Sequence, residues 1–121
     1  MVDGTAEHYA KINQPFGDGH YDFCLDWDSA VNWESKTERS LYSTFVQMQR
    51  SGYFILSDIR EVIRLALIGG GMAPVPALKL VEAYVDKRPL AENITLAMLI
   101  MEKAFFGDDE AGKEQARGPK Q

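Results

Sequence analysis

Alternation of apolar and polar residues near the start of the chain predicts a β-hairpin. From His20 to Trp27 (HYDFCLDW), Tyr, Phe, Leu and Trp take every second position, as in a strand with one buried face. The run HYAKINQPF precedes it, and Asp18-Gly19 between them is a favoured dipeptide for a tight turn. Pro15 suits an edge strand. We predict a hairpin over about residues 8–27.

Helical spacing of apolar residues follows the hairpin. A short helix is predicted from Ala30 to about Ser35 behind an Asp28-Ser29 cap, and a second from about Glu38 to Gln49. A third begins at a cap formed by Ser57 or Asp58 and ends at three glycines. Its apolar positions recur at intervals of three and four: Ile59, Val62, Ile63, Ala66 and Leu67.

Two more helices complete the pattern. The fourth, Val75 to about Asp86, has Leu78, Val81 and Val85 on its core face, and Pro89 ends it. The fifth, from about Ala91 to Phe106, is apolar almost all the way round, so it is buried on more than one side.

Together these elements predict an α+β fold, with a small N-terminal β-hairpin packed on a bundle of four to five short α-helices. Residues 8–107 form one domain, with helices over about 28–106. Residues 1–7 are expected to be a flexible start, and 108–121 a disordered tail, because the tail holds no apolar residue larger than alanine.

Composition narrows the classes of partner. The chain has 121 residues, a net charge of −5 and no run of Lys and Arg, which disfavours a nucleic-acid partner. Its apolar runs are too short to cross a bilayer, so no membrane partner is expected. A single cysteine and the lack of a signal-peptide pattern favour a cytoplasmic location.

Gly69-Gly70-Gly71 raises the question of phosphate binding. A P-loop requires Lys and Ser or Thr after its last glycine, but Met72 and Ala73 follow here. A dinucleotide-binding loop requires a strand before its glycines, whereas a predicted helix precedes these. The glycines therefore predict a helix–helix junction, in which Gly70 or Gly71 allows a close backbone approach.

Evidence for catalysis or a cofactor is weak. His20, Asp22 and Cys24 alternate on one strand face and could be metal ligands, but no fourth His or Cys lies nearby, and a solvent-facing strand side is the simpler interpretation. The calcium-loop pattern that Asp26 begins lacks its required glycine and glutamate. No nucleophile motif is present. We predict no enzyme, no metal and no cofactor.

The fifth helix has two interpretations. It is the centre of a small core, or part of it forms, with Met72, a surface for a partner, because methionine side chains adapt to different packings. The candidate partner-binding residues are Leu65, Ile68, Met72, Leu96, Met98, Ile100 and Met101.

Several of these stretches resemble the gene transfer agent tail protein family, which is encoded among tail genes of gene transfer agents and related prophages of alphaproteobacteria. The resemblance covers about residues 8–107, and Ala66 stands where many relatives have glycine. It includes the hairpin sequence GDGHYDFCLDW and these segments: Asp58-Ile59-Arg60, Ile63-Arg64-Leu65, Gly69-Gly70-Gly71-Met72, Tyr84-Val85-Asp86, Arg88-Pro89-Leu90 and Phe106-Gly107.

The family carries no catalytic residues. The resemblance implies a role in phage-like tail assembly, first of all as a tail assembly chaperone that binds the tape measure protein and keeps it soluble. A structural tail component that stays in the particle is the alternative. Tape measure or other tail proteins are thus the expected partners, and self-association stays open.

Overall fold

A computed structural model describes residues 11–107 of the chain. Strands β1 (Ile12–Phe16) and β2 (Gly19–Phe23) form an antiparallel hairpin, and five α-helices follow it. The helices are α1 (Trp27–Thr37), α2 (Leu41–Ser51), α3 (Leu56–Gly69), α4 (Pro74–Val81) and α5 (Ile94–Phe106). This arrangement confirms the predicted α+β class. The predicted flexible start (1–7), residues 8–10 of the predicted hairpin and the predicted tail (108–121) lie outside the described residues.

The hairpin turn lies one residue earlier than predicted. Phe16 pairs with Gly19, so Gly17 and Asp18 form the loop, rather than Asp18 and Gly19. The φ angle of Gly17 is +60°, while that of Asp18 is not positive, as in a turn with glycine at its first central position. The ring of Tyr84 lies 2.5 Å from the point where a Cβ on Gly17 would stand. The turn is therefore packed against the helical part of the molecule.

The first helix begins at a different cap from the one predicted, and the second helix begins later than predicted. The carboxylate of Asp26, not that of Asp28, caps α1 by accepting a hydrogen bond from the Ser29 N–H at 2.9 Å. This starts α1 three residues earlier than expected. Ser40 caps α2, and Glu38, the predicted first residue of that helix, instead ends α1 with a φ angle of 56°.

The predicted cap of α3 is wrong. The helix begins at Leu56, and neither Ser57 nor Asp58 caps it. Asp58 is buried in the first turn, where its carboxylate accepts two hydrogen bonds from Arg39, at 2.8 and 2.5 Å. The Arg39 guanidinium also lies 5.3 Å from the centre of the Trp33 ring. This ion pair, in which only Asp58 is buried, therefore joins the α1–α2 connection to α3.

The predicted fourth helix consists of α4 and a π-helical turn, Glu82–Asp86. Leu78, which was expected on the core face, is exposed, whereas Ala77 and Val81 are buried. The helical rotation per residue explains this difference, because residues four apart share a face and the residue after Ala77 points about 100° away.

Helix α3 lies at the centre of the core and packs against β2, α1, α4 and α5. Helix α5 starts at Ile94, because residues 91–93, predicted as helix, form a turn. It packs on both α2 and α3, which confirms that it is covered on more than one side. The fully buried large side chains include Trp33, Phe23, Phe45, Ile63, Leu67, Met101, Val62 and Val81.

The three glycines sit where the end of β2 crosses the last turn of α3. The Cys24 N–H donates to the Ala66 carbonyl at 2.9 Å. A Cβ on Gly69 would lie 2.0 Å from the Cys24 carbonyl oxygen, and one on Gly70 would lie 2.2 Å from the Asp22 carbonyl oxygen. Gly71 has open space around it, but its φ angle is +119°. The close backbone approach predicted for Gly70 or Gly71 thus occurs at Gly69 and Gly70. At position 71, glycine is favoured because of the positive φ angle of the turn.

We expect Gly69→Ala to destabilise the protein by about 3 kcal/mol, the upper end of the usual cost of overpacking, because the obstructing atom belongs to backbone. Denaturant unfolding followed by circular dichroism measures this change. Gly19→Ala is the matched control, since its Cβ would meet nothing closer than 3.9 Å. Equal unfolding midpoints for the two variants would contradict the close approach.

Candidate interaction surface

The side chains considered as metal ligands do not converge. Strand β2 ends at Phe23, and Cys24 is buried, whereas His20 and Asp22 are exposed. Within residues 11–107, no group of three or more His, Cys, Asp or Glu side chains is placed to hold a metal ion. The strand alternation fails at Cys24 because its backbone turns to bond α3.

The glycine junction has no free N–H groups of the kind that bind phosphate. The N–H of Gly70 donates to Ala66 at 2.8 Å, that of Gly71 to Ile68 at 3.0 Å, and that of Met72 to Leu67 at 3.0 Å. All three groups lie at the carboxyl end of a helix, where the helix dipole is negative and repels anions. The structure confirms the predicted helix–helix junction.

The candidate partner-binding residues divide into two sets. Leu65, Ile100 and Met101 are buried in the core, so they offer no surface in this structure. The other four are partly exposed and also pack against the core: Ile68, Met72, Leu96 and Met98. For these four residues, a role in binding stays a prediction.

Sequence reasoning missed a different set of apolar side chains, which are exposed. Trp27 is the most exposed large one, at 77%, although Trp33 on the same helix is completely buried. Covering such a ring would remove on the order of 150 Å² of apolar surface from water, a gross gain of about 4 kcal/mol. The other exposed residues are Val31, Tyr42, Tyr53, Leu56, Val75, Leu78 and Leu90.

Trp27 and Val31 form one wall of an open groove of about 330 Å³ between α1 and α5, which we call the α1–α5 groove. Its apolar lining includes Trp27, Ala30, Val31, Leu41, Ala104 and Phe105. The position of the α1 cap explains this wall. Because α1 starts at Trp27, Ala30 and Val31 follow at i+3 and i+4 and therefore share its face.

The opposite wall of the groove is held in place by aromatic packing. The Phe105 ring lies 5.2 Å from the ring of Tyr42 and 5.5 Å from that of Phe45, measured between centroids. Phe45 is buried, so the contact anchors the end of α5 to the core. The wall is thus built on two helices rather than on a loop.

Two carboxylates line the same groove, and each accepts a backbone hydrogen bond at the start of a helix. Asp26 caps α1, and Glu34 accepts a hydrogen bond from the Leu41 N–H, at the start of α2, at 2.8 Å. In the part of the chain that the structure describes, neither of the two forms an ion pair with Lys or Arg.

A smaller cavity of about 140 Å³ lies between α3 and the π-helical turn. Exposed Leu56 and Leu90 line it. The ion pair between Arg60 and Asp86, at 2.8 Å, also forms part of its wall. This cavity is less than half the size of the α1–α5 groove and carries an already neutralised charge pair, so the groove is the stronger candidate surface.

Helix α1 is fixed on α3 by a second cluster of charges. The Glu61 carboxylate accepts a hydrogen bond from Lys36 of α1, at 2.9 Å, and others from Arg64 of α3. Burial acts to raise the pKa of Glu61, but the bonds from Arg64 and Lys36 outweigh it and hold the pKa below its ordinary value of 4.5. The ionised form of Glu61 therefore stabilises the packing of α1 on α3.

These features are typical of a protein that contacts other proteins. In residues 11–107 the structure offers an apolar groove with an acidic rim, and it brings no metal-binding cluster together. No helix in the described range is both long and apolar enough to span a bilayer.

A family model described as phage tail tube protein, GTA-gp10, matches residues 10–107. Because the match covers most of the chain, the chain belongs to this family, and the resemblance to gene transfer agent tail proteins is confirmed. No curated protein and no solved structure matches it. The family description places the chain among tail proteins of phages and gene transfer agents.

The ion pairs of Glu61 predict a pH dependence of stability. A carboxylate with a lower pKa in the folded state stabilises the fold above its unfolded pKa, and this contribution is lost as pH falls through the folded pKa. We expect the free energy of unfolding to decrease from about pH 5 to pH 3. The free energy of unfolding of Glu61→Gln should be about 1–2 kcal/mol lower at pH 7 than that of the unsubstituted protein, and it should decrease less on acidification. Urea unfolding of the two proteins over this pH range measures both effects. If the free energies of the two proteins decrease in parallel as pH falls, the role of Glu61 is contradicted.

The two tryptophans predict two classes of fluorescence. Trp27 should emit at long wavelength and be quenched efficiently by acrylamide, whereas buried Trp33 should emit at shorter wavelength and resist quenching. We expect Trp27→Phe to remove the easily quenched component and leave the other unchanged. If Trp27→Phe leaves that component in place, the component comes from Trp33, which contradicts the burial of that ring.

Proposed function

We propose that this protein is a structural component of a phage-like tail and stays in the assembled particle. The observation that supports this most is the match to a tail tube family over residues 10–107, which includes every described helix and strand. A tail component acts by contacts with its neighbours, so no active site is required. The proposed function is non-enzymatic, and the proposed location is the particle.

The α1–α5 groove supports this proposal, because it is an exposed apolar surface built on rigid elements. Exposed apolar surface bordered by polar residues is typical of protein–protein contact sites. We propose that the groove contacts another tail protein. The partly exposed residues Ile68, Met72, Leu96 and Met98, which sequence analysis selected, are proposed as secondary contacts.

A tail assembly chaperone that binds the tape measure protein was the first expectation from the resemblance. The matching family is described as a tube protein, so it favours the structural component instead. The two roles differ in where the protein is found after assembly. A chaperone leaves before the particle is complete, whereas a structural component is retained.

We expect the protein to co-purify with assembled particles and to be present in many copies per tail, as measured by quantitative mass spectrometry of purified particles. Trp27→Ser should reduce its incorporation several-fold, because it removes apolar contact area at the proposed interface. Val75→Ser is the matched control, because Val75 is an exposed side chain of α4 that lies outside the groove. This variant should be incorporated normally.

Absence of the protein from purified particles, together with recovery of a complex with the tape measure protein, would overturn the structural proposal in favour of the chaperone. Normal incorporation of Trp27→Ser would instead show that the groove is not the contact surface. Circular dichroism and unfolding of each variant separate a loss of contact from a loss of fold.

A further inference from the structure

The rim of the α1–α5 groove carries a negative charge that the described part of the protein does not neutralise. Asp26 and Glu34 contribute −2. The amino-terminal ends of α1 and α2 each contribute about half a positive charge, which leaves a local charge of about −1. The neighbouring cations are engaged elsewhere, since Lys36 binds Glu61 and Arg39 binds Asp58.

The walls of the groove restrict the shape of what can occupy it. Its lining comes from helices α1, α2 and α5 and the segment before α1, so the groove contains no free strand edge. An extended peptide would find no backbone partners there and would leave its own N–H and C=O groups unpaired. A helix satisfies its own backbone and needs only apolar side chains on one face.

The size of the groove also fits a helix. About 330 Å³ lies at the small end of the range of roughly 300–1,000 Å³ found for binding pockets. Such a space takes a few large apolar side chains, which a helix presents at positions i, i+3 or i+4, and i+7.

We propose that the α1–α5 groove binds an amphipathic helix of another tail protein, with its apolar residues between Trp27 and Phe105 and its flanking Lys or Arg residues beside Asp26 and Glu34. This inference rests on the proposed function, since it specifies the partner for the same surface. The apolar contacts supply affinity, and the charges select a basic helix over an acidic one.

Fluorescence titration of the full chain with synthetic helical peptides tests this proposal. Three peptides share one apolar face: one has Lys and Arg beside it, one has Glu, and one scrambles the basic sequence. The basic peptide should shift Trp27 emission to shorter wavelength and bind at least about tenfold more tightly than the acidic one. Its affinity should fall as salt rises. Trp27→Phe shows that the signal comes from Trp27.

A charge-removing variant tests the rim directly. In the double variant Asp26→Asn/Glu34→Gln, both side chains keep an acceptor oxygen, so their hydrogen bonds to Ser29 and Leu41 N–H can persist while two charges are lost. We expect it to bind the basic peptide about tenfold more weakly. Asp22→Asn/Glu82→Gln removes two exposed carboxylates outside the groove and should bind with unchanged affinity.

Three results would overturn the proposal: equal binding of the basic and acidic peptides, no binding of either, or a Trp27 shift that follows protein concentration without peptide. The last result would assign the groove to a second copy of the chain. Failure of the peptides would leave the proposed tail function standing if the protein is still retained in particles. Absence from particles would overturn that function without affecting the peptide result.

Discussion

The crossing of β2 over the last turn of α3 is the contact on which the rest of this structure depends. A two-stranded hairpin is marginally stable by itself and needs other elements to pack against. Here the Cys24 N–H bonds to Ala66, and the backbones come so close that only glycine fits at positions 69 and 70. The hairpin is therefore attached to the most buried helix through main-chain atoms.

The same contact determines the position of the proposed binding surface. Only Leu25 and Asp26 separate Cys24 from the start of α1, so the crossing point fixes where α1 begins. The Asp26 cap then makes Trp27 the first helical residue. From the other end, the ion pairs of Glu61 and of Asp58 hold α1 and its connection to α2 on α3. The position of Trp27 is thus determined by the elements that hold α1, although its own ring is largely exposed.

The sequence predicted what depends on local pattern. The spacing of Ile59, Val62 and Ile63 identified α3, and the lack of Lys and Ser after the glycines excluded a P-loop. It could not predict which apolar faces are covered, because periodicity shows that a face is apolar and not what packs on it. Leu65, Ile100 and Met101 thus lie in the core, although they were selected as candidate surface residues. Trp27 was missed because the alternation of β2 was extended to it, which placed it on the buried face of a strand. A cap at Asp26 was the signal that would have found it.

The acidic rim also limits how two copies of this protein can meet. A contact that placed one groove against another would bring together two local charges of about −1 with little solvent between them, which opposes the gain from burying the two Trp27 rings. Copies that assemble in a tail would then meet through unlike faces, as in any head-to-tail arrangement. The rim thus opposes the pairing of two grooves and favours a basic partner for Trp27.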